Sequence, residues 1–119
     1  MTNAIGLMLT PGDVITLDLG TPAGSEAGMR RPAVVVTAKE VLRGGPNVIQ
    51  VVPLTRTIRN AVSEIVVETD AFNELAADSA AQCQHIRAVA TTRIAERLGN
   101  IGPVKLGQIR ATIATLLDI

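Results

Sequence analysis

Short runs of β-branched residues, each bounded by glycine, proline or polar turn residues, constrain the fold more than any other feature of the sequence. Valine and isoleucine pack well on a pleated sheet and lose side-chain freedom in a helix, so each run predicts a strand. A further strand is predicted where apolar and polar side chains alternate after Pro11-Gly12. The predicted strands are GDVITLDL at 12–19, RPAVVVTA at 31–38, VIQVVPLT at 48–55 and AVSEIVVE at 61–68.

The remaining segments predict loops, an edge strand and one helix. Residues 20–30 contain three glycines and a proline, and RGGPN at 43–47 has turn chemistry, so both predict loops. DSAAQCQHIRAV at 78–89 fits a helix by its alanines and a strand by its alternation, while RLGNI at 97–101 predicts a short edge strand. After Gly102-Pro103, apolar residues at helical spacing predict a C-terminal helix. These apolar residues are Leu106, Ile109, Ile113, Leu116 and Leu117. Several short strands with one terminal helix favour a mainly β (α+β) fold, a small, closed, antiparallel barrel.

Length and composition favour a single domain over residues 1–119, with 1–10 as an N-terminal extension. One phenylalanine and no tryptophan or tyrosine leave valine, isoleucine, leucine and alanine to build the core. The single cysteine, Cys83, allows no intramolecular disulfide and favours a reducing, cytoplasmic location. No apolar run approaches the about 18 residues of a membrane span.

A metal site is not expected, because Cys83 and His85 supply only two of the ligands that such a site needs. From its position alone, Cys83 is interpreted as a small apolar filler and His85 as a hydrogen-bonded packing residue. No other cofactor is expected either, because the sequence has no glycine-rich phosphate loop with a lysine.

Charge is distributed in blocks along a chain whose formal net charge is zero. Residues 30–59 carry six basic side chains against one acidic one, whereas residues 60–78 carry five acidic side chains and no basic one. Two interpretations remain open. The blocks form a cationic groove on a neutral protein, or they pair off as surface ion pairs. The acidic stretch at 64–78 is interpreted as a solvated face.

Two arginines at the beginning of a predicted strand indicate that an anion binds there, because a guanidinium carries five fixed donors and is costly to bury. Arg30 and Arg31 precede Pro32, and a neighbouring strand ends in PLTRT, with Thr55, Arg56 and Thr57. A guanidinium beside a hydroxyl is suited to a phosphodiester, since the arginine neutralises charge and the hydroxyl donates to an oxygen. With RNA as the substrate no metal is needed, because the 2′-hydroxyl supplies the nucleophile.

The chain resembles the MazF/PemK family of toxin endoribonucleases over residues 11–119. The motifs that carry the resemblance, in register along the chain, are Gly12-Asp13, Gly24-Ser25-Glu26, Arg31-Pro32 and Pro53-x-Thr55. The resemblance implies an SH3-like barrel that forms a homodimer. It also implies ribosome-independent cutting of single-stranded RNA at a short sequence, leaving a 2′,3′-cyclic phosphate and a 5′-hydroxyl. The implied partner is a cognate antitoxin with an acidic, disordered C-terminal segment that blocks the groove.

The resemblance also implies roles for individual residues. Arg31 matches the catalytic arginine of the family and Thr55 its catalytic threonine. Three departures from the family pattern concern RNA binding: Ile15 and Leu17 stand where an aromatic residue is common, His85 replaces the usual glutamine, and Arg30 adds a charge. The residues expected to bind RNA are Ser25, Glu26, Arg30, Arg56, His85 and Arg87.

Two other functions compete with the ribonuclease at this point. A CcdB-like gyrase poison shares the expected fold, acts by binding protein, and needs no arginine–threonine cradle. A plain SH3-like interaction module normally has an aromatic groove for proline-rich ligands, which a chain whose sole aromatic residue is Phe72 does not supply.

Overall fold

A computed structural model of the chain describes residues 8–20 and 30–119. Within them lie seven strands, two α-helices and two single-turn 3-10 helices, the latter at Cys83–His85 and Thr91–Arg93. The strands are β1 Asp13–Asp18, β2 Arg30–Val35, β3 Val48–Thr55, β4 Glu64–Val67, β5 Ser79–Gln82, β6 Arg87–Ala90 and β7 Ile94–Asn100. The helices are α1 Lys39–Arg43 and α2 Gly102–Leu117.

The strands form one antiparallel arrangement in the order β4-β5-β3-β2-β1-β7, and β6 also pairs with β3. The long strand β3 pairs with β2, with β6 through residues 48–51, and with β5 through residues 54–55. A mainly antiparallel β fold with a C-terminal helix is thereby confirmed. The pairings form an open path in which β4 and β7 are the ends, so closure of the predicted barrel is not seen in the described ranges.

Each face of the sheet carries its own aliphatic core, because successive strand residues point to opposite faces. One core joins Val14, Val34 and Val52 to α2, which contributes Leu106 and Ile109. The opposite face buries a second set of side chains, to which α1 contributes one leucine. This set includes Leu9, Ile15, Leu17, Ala33, Val35, Leu42, Ile49, Val51, Val89 and Ile94. Both clusters consist of aliphatic residues, with Cys83 added in the first, as the composition predicts.

The Gly12-Asp13 pair fixes the start of β1 against the end of β7. Buried Asp13 accepts hydrogen bonds from the Thr10 amide at 2.7 Å and from Asn100 Nδ2 at 3.1 Å, and it pairs with Arg97 Nε at 3.0 Å. Gly12 has φ +90°, and a Cβ there would lie 2.9 Å from Asn100 Oδ1, so a larger residue does not fit. This part of the family motif is therefore structural, since it anchors the strand that borders β2.

Several expectations are confirmed with shifted ends, and the ambiguous segment is now assigned. The four predicted strands correspond to β1, β2, β3 and β4, of which β4 covers only Glu64–Val67. Residues 78–89 are mostly strand, broken by a 3-10 turn. The edge strand β7 begins earlier than predicted, at Ile94. Leu9, inside the predicted N-terminal extension, is buried.

Other expectations are wrong in detail. The helix α1 was not predicted, because five residues with one buried leucine produce no periodic pattern. The apolar face of α2 ends earlier than predicted, since Leu116 and Leu117 are exposed. Glu64 is buried, so the acidic stretch is not wholly a solvated face. His85 is exposed and does not pack in the core. Neither α1 nor α2 has the length and apolarity needed to cross a membrane.

Cys83 is buried, and its thiol lies 3.8 Å from the Ala81 carbonyl oxygen. Burial raises the pKa of Cys83 to about 11, with a further contribution from the Glu64 carboxylate. From the ordinary pKa of 9.0 up to about 11, the unfolded chain releases a proton that the folded chain keeps, so the free energy of unfolding falls as pH rises through that window.

We therefore expect iodoacetamide to modify Cys83 slowly in the native protein at about pH 8.5 and rapidly in denaturant, because the thiolate is the reactive form. Mass spectrometry over a time course measures both rates. Equal rates with and without denaturant would contradict the burial of this thiol.

Candidate functional site

A pocket of about 300 Å³ opens on the sheet face opposite α2, where β2 begins and β3 ends. Its floor consists of apolar residues, of which Leu17, Ala33 and Val51 belong to the second core and Leu54 to the first, and its rim carries polar and charged side chains. The floor residues are Leu17, Leu19, Pro32, Ala33, Val51, Pro53 and Leu54, and the rim residues are Arg31, Thr55, Gln82 and Arg87. It is called the Arg31–Thr55 pocket below.

Strand register explains why Arg31 and Thr55 meet. Ala33 of β2 pairs with Pro53 of β3, and continuing this antiparallel register places Arg31 opposite Thr55. Alternation then directs both side chains to the same face as Ala33. On the other side of β2, Arg31 pairs with Leu17, which lies on the pocket floor.

Gln82 and Arg87 reach the same pocket from the opposite edge of β3. Arg87 is the first residue of β6 and pairs with Val51, while Gln82 is the last residue of β5. The residues between these two strands form a 3-10 turn and do not pair with β3. The strand residues before and after the turn therefore keep the alternation of side chains between the two sheet faces. As a result, Gln82 and Arg87 line the same rim as Arg31, although both are far from it in the sequence.

The hydroxyl of Thr55 is oriented by its own backbone. Thr55 Oγ1 accepts a hydrogen bond from the Thr57 amide at 3.1 Å. A hydroxyl that accepts from the chain keeps its proton for a second partner. Because Thr55 lies on the pocket rim and is half-buried, its hydroxyl can donate to an acceptor that enters the pocket.

The charge of the pocket is positive. Arg31 and Arg87 are both exposed, and within residues 8–20 and 30–119 neither has a carboxylate within 4.0 Å. The ion pairs found there are Arg43 with Glu40, inside one charge block, and Arg97 with Asp13. The basic and acidic blocks do not pair off in the described part of the chain, which favours the cationic groove over the surface ion pairs.

The other residues expected to bind RNA do not line this pocket. Arg30 pairs with Asp18, and alternation directs its side chain to the sheet face away from Arg31. Arg56 and His85 are exposed, the first directly after β3 and the second in the 3-10 turn. Ser25 and Glu26 lie outside the described residues.

Gln82 is a polar pocket residue that the sequence analysis missed. Part of the signal was present, because Gln82 follows Ala80 at strand spacing, but the pairing of Ala80 with Thr55 is seen only in the structure. Reading residues 78–82 as a strand places Gln82 on the face of Thr55. The same reading disfavours His85 as the residue that fills this position.

Comparisons with known proteins agree on one family. Residues 10–117 match the model of the PemK-like, MazF-like toxins of type II toxin-antitoxin systems. The chain is 33% identical over 116 residues to the endoribonuclease MazF9 of Mycobacterium tuberculosis, covering 94% of this chain and 98% of that protein.

Solved structures show the same fold. A MazE–MazF structure from Deinococcus radiodurans has a TM-score of 0.76 at 23% identity, covering 95% of this chain and 98% of that one. The Mycobacterium tuberculosis toxin MazF-mt6 has a TM-score of 0.71 at 20% identity, covering 90% of this chain and 97% of that one. Together with the extent of the family match, these similarities show that the chain belongs to the PemK-like, MazF-like toxins of type II toxin-antitoxin systems.

Proposed function

We propose that this toxin is a sequence-specific, ribosome-independent endoribonuclease that cuts single-stranded RNA in the Arg31–Thr55 pocket without a metal ion. The observation that carries the proposal is the placement of an arginine and an oriented threonine hydroxyl on one rim of a positively charged pocket. The 33% identical relative is named an endoribonuclease, which agrees with this chemistry.

The reaction follows from these two side chains and the substrate itself. The 2′-hydroxyl of the RNA attacks the neighbouring phosphorus, the bond to the 5′-oxygen breaks, and the products carry a 2′,3′-cyclic phosphate and a 5′-hydroxyl. Water accepts the proton that leaves the 2′-oxygen, and the proton that Arg31 gives to the departing 5′-oxygen is replaced from water, so the protons balance. Arg31 neutralises the charge that develops on the phosphoryl oxygens and supplies the proton at the leaving group, while Thr55 donates to a non-bridging oxygen.

The rest of the pocket is suited to the nucleotides beside the cut. Leu17 and Leu19 give an apolar floor without an aromatic ring, so bases are held by shape and contact rather than by ring stacking. Gln82 offers an amide donor and acceptor that can read the edge of an unpaired base. Arg87 neutralises a phosphate on the far rim.

The proposal is tested by incubating the purified protein with a long RNA in EDTA and mapping the new 5′ ends. We expect cuts at one short sequence, with 5′-hydroxyl ends that a kinase labels without prior phosphatase treatment. An identically purified Arg31→Ala preparation controls for contaminating nucleases. RNA that stays intact, or cuts that require added metal, would overturn the proposal. A gyrase poison of the CcdB type would give intact RNA.

We further propose that a cognate antitoxin covers this site with an acidic segment that is disordered when free. The MazF of the similar Deinococcus structure is bound to MazE, which supports a partner of this class. The segment lies along exposed basic side chains of residues 30–59, among which Arg31 lies at the pocket, and its carboxylates take the place of phosphates.

Binding of that antitoxin is expected to weaken as salt is added, because exposed charges are screened beyond about 10 Å at 0.1 M ionic strength. Calorimetry over a salt series measures the effect. An antitoxin whose contacts are confined to the acidic face at 64–78 would contradict this placement.

The proposed assembly is a homodimer. Exposed apolar side chains cluster at the C-terminal end of α2, where Leu116, Leu117 and Ile119 are 46%, 56% and 87% exposed. Pairing of two copies about a twofold axis covers such a surface twice. Sedimentation at micromolar concentration should therefore give twice the mass of the 12.4 kDa chain, and a monomer would contradict the proposal.

A further inference from the structure

A second depression, of about 420 Å³, continues the Arg31–Thr55 pocket along β6. It shares Leu19 and Arg87 with that pocket, so the two form one continuous concave surface. Its other lining residues are Ala88, Val89, Ala90 and Arg93. It is called the Arg93 groove below.

The groove presents Arg93 to solvent at its far end. Arg93 is exposed and belongs to the 3-10 turn that joins β6 to β7. The guanidinium lies close to Gly20, since a Cβ built on that glycine would stand in ordinary contact with Arg93 Nη1 at 3.5 Å. Among the residues that the structure describes, no carboxylate lies within 4.0 Å of Arg93.

The dimensions suit a nucleic acid strand. At about 3.3 Å per residue, β6 spans about 10 Å from Arg87 to Ala90, and Arg93 lies beyond that end. Stacked nucleotides advance about 3.4 Å each along a strand, so Arg87 and Arg93 are separated by a few nucleotides at most. The alanines between them leave space for sugar and base.

We propose that Arg93 binds a phosphate of the substrate strand a few nucleotides from the cut, so that the RNA leaves the Arg31–Thr55 pocket along β6. This inference rests on the proposed function. A strand that is cut in the pocket must continue out of it, and the Arg93 groove is continuous with the pocket and positively charged. Arg93 takes no part in the chemistry, since the scissile phosphate is held by Arg31 and Thr55. It raises the affinity for the substrate, and it does so only for RNA that is long enough to reach it.

The test uses 2′-O-methyl oligonucleotides of the mapped cleavage sequence, which bind without being cut. They are lengthened by one nucleotide at a time from either end, and fluorescence anisotropy measures the affinity of the wild type and of Arg93→Gln. We expect the wild-type affinity to rise in one step of about 5-fold when one end reaches Arg93, and the step to be missing in Arg93→Gln. For the longer oligonucleotides, the slope of log affinity against log salt should fall by about 0.7 in the variant.

Arg43→Gln is the matched control, because Arg43 is an exposed arginine on α1 that pairs with Glu40 away from the groove. It should leave the step unchanged, and Arg93→Lys should keep part of it. Substrates too short to reach Arg93 should be cleaved at the same single-turnover rate by Arg93→Gln and by the wild type at saturating protein. Equal affinity of the wild type and Arg93→Gln at every length would overturn the inference. If RNA affinity were equal but Arg93→Gln lost affinity for an acidic antitoxin peptide, the inference would still be overturned, and the groove would be assigned to the antitoxin. Absence of any cleavage site would instead refute the proposed function itself.

Discussion

Replacing Arg31 with alanine is expected to lower the single-turnover rate of RNA cleavage by about 10²- to 10³-fold or more, equivalent to about 2.7–4 kcal/mol. The loss falls on the chemical step, because the guanidinium interacts most strongly with charge that develops in the transition state. Since Arg31 is exposed near the beginning of β2, its removal leaves both cores intact. The variant should therefore keep the fold and the dimer, and it should still bind the antitoxin, with an affinity lowered by the loss of one positive charge.

Arg30 provides the control for this prediction within the same strand. Its side chain carries the same charge one residue earlier, but it points to the other sheet face and does not line the pocket. Arg30→Ala should weaken RNA binding slightly and leave the rate at saturating protein close to that of the wild type. If Arg30→Ala were inactive and Arg31→Ala cut normally, the assignment of the catalytic arginine would be wrong by one residue.

Replacing Thr55 with valine is expected to lower the same rate by about 10²-fold or more, because it removes one donor to the phosphoryl oxygens. Valine keeps the β-branched shape at the end of β3. The Thr57 amide, which donates to Thr55 Oγ1, is exposed and finds water instead. The free energy of unfolding should thus change little, which chemical denaturation can verify.

Thr55→Ser separates the hydroxyl from the methyl group. It keeps the donor and the acceptor for the Thr57 amide, so it should retain most of the activity that Thr55→Val loses. RNA affinity measured with an uncut oligonucleotide should be similar in both variants, which places the effect on the rate. Full activity of Thr55→Val would remove Thr55 from the mechanism.

The strands and the central pair of site residues could be predicted because their signals are local. Runs of valine and isoleucine mark β2, β3 and β4, and an arginine at one strand end with a threonine at another forms a pair that register brings together. The aliphatic core also follows from composition. In contrast, α1 is held by one buried leucine and by its connections, which leaves no periodic signal in five residues.

The rest of the site depends on pairings between distant segments. Gln82 reaches the pocket because β5 continues along the edge of β3 that β6 also uses, with a 3-10 turn between them. Neither the turn nor the shared edge can be deduced from the alternation of residues 78–89. The same turn leaves His85 outside the pocket, although the family resemblance placed it at the position of the usual glutamine. A role for Arg93 can be inferred only from the structure, because only there is it seen to line a groove together with Arg87.

The central claim is that RNA is cut by its own 2′-hydroxyl in the Arg31–Thr55 pocket, and one substrate tests it directly. A synthetic RNA containing the mapped cleavage sequence twice carries a single 2′-deoxy nucleotide on the 5′ side of one cut. In EDTA, the wild-type protein should cut the unmodified site and leave the 2′-deoxy site intact, with the fragments ending in a cyclic phosphate. Cleavage of both sites at equal rates would contradict the account, because the nucleophile would then come from elsewhere.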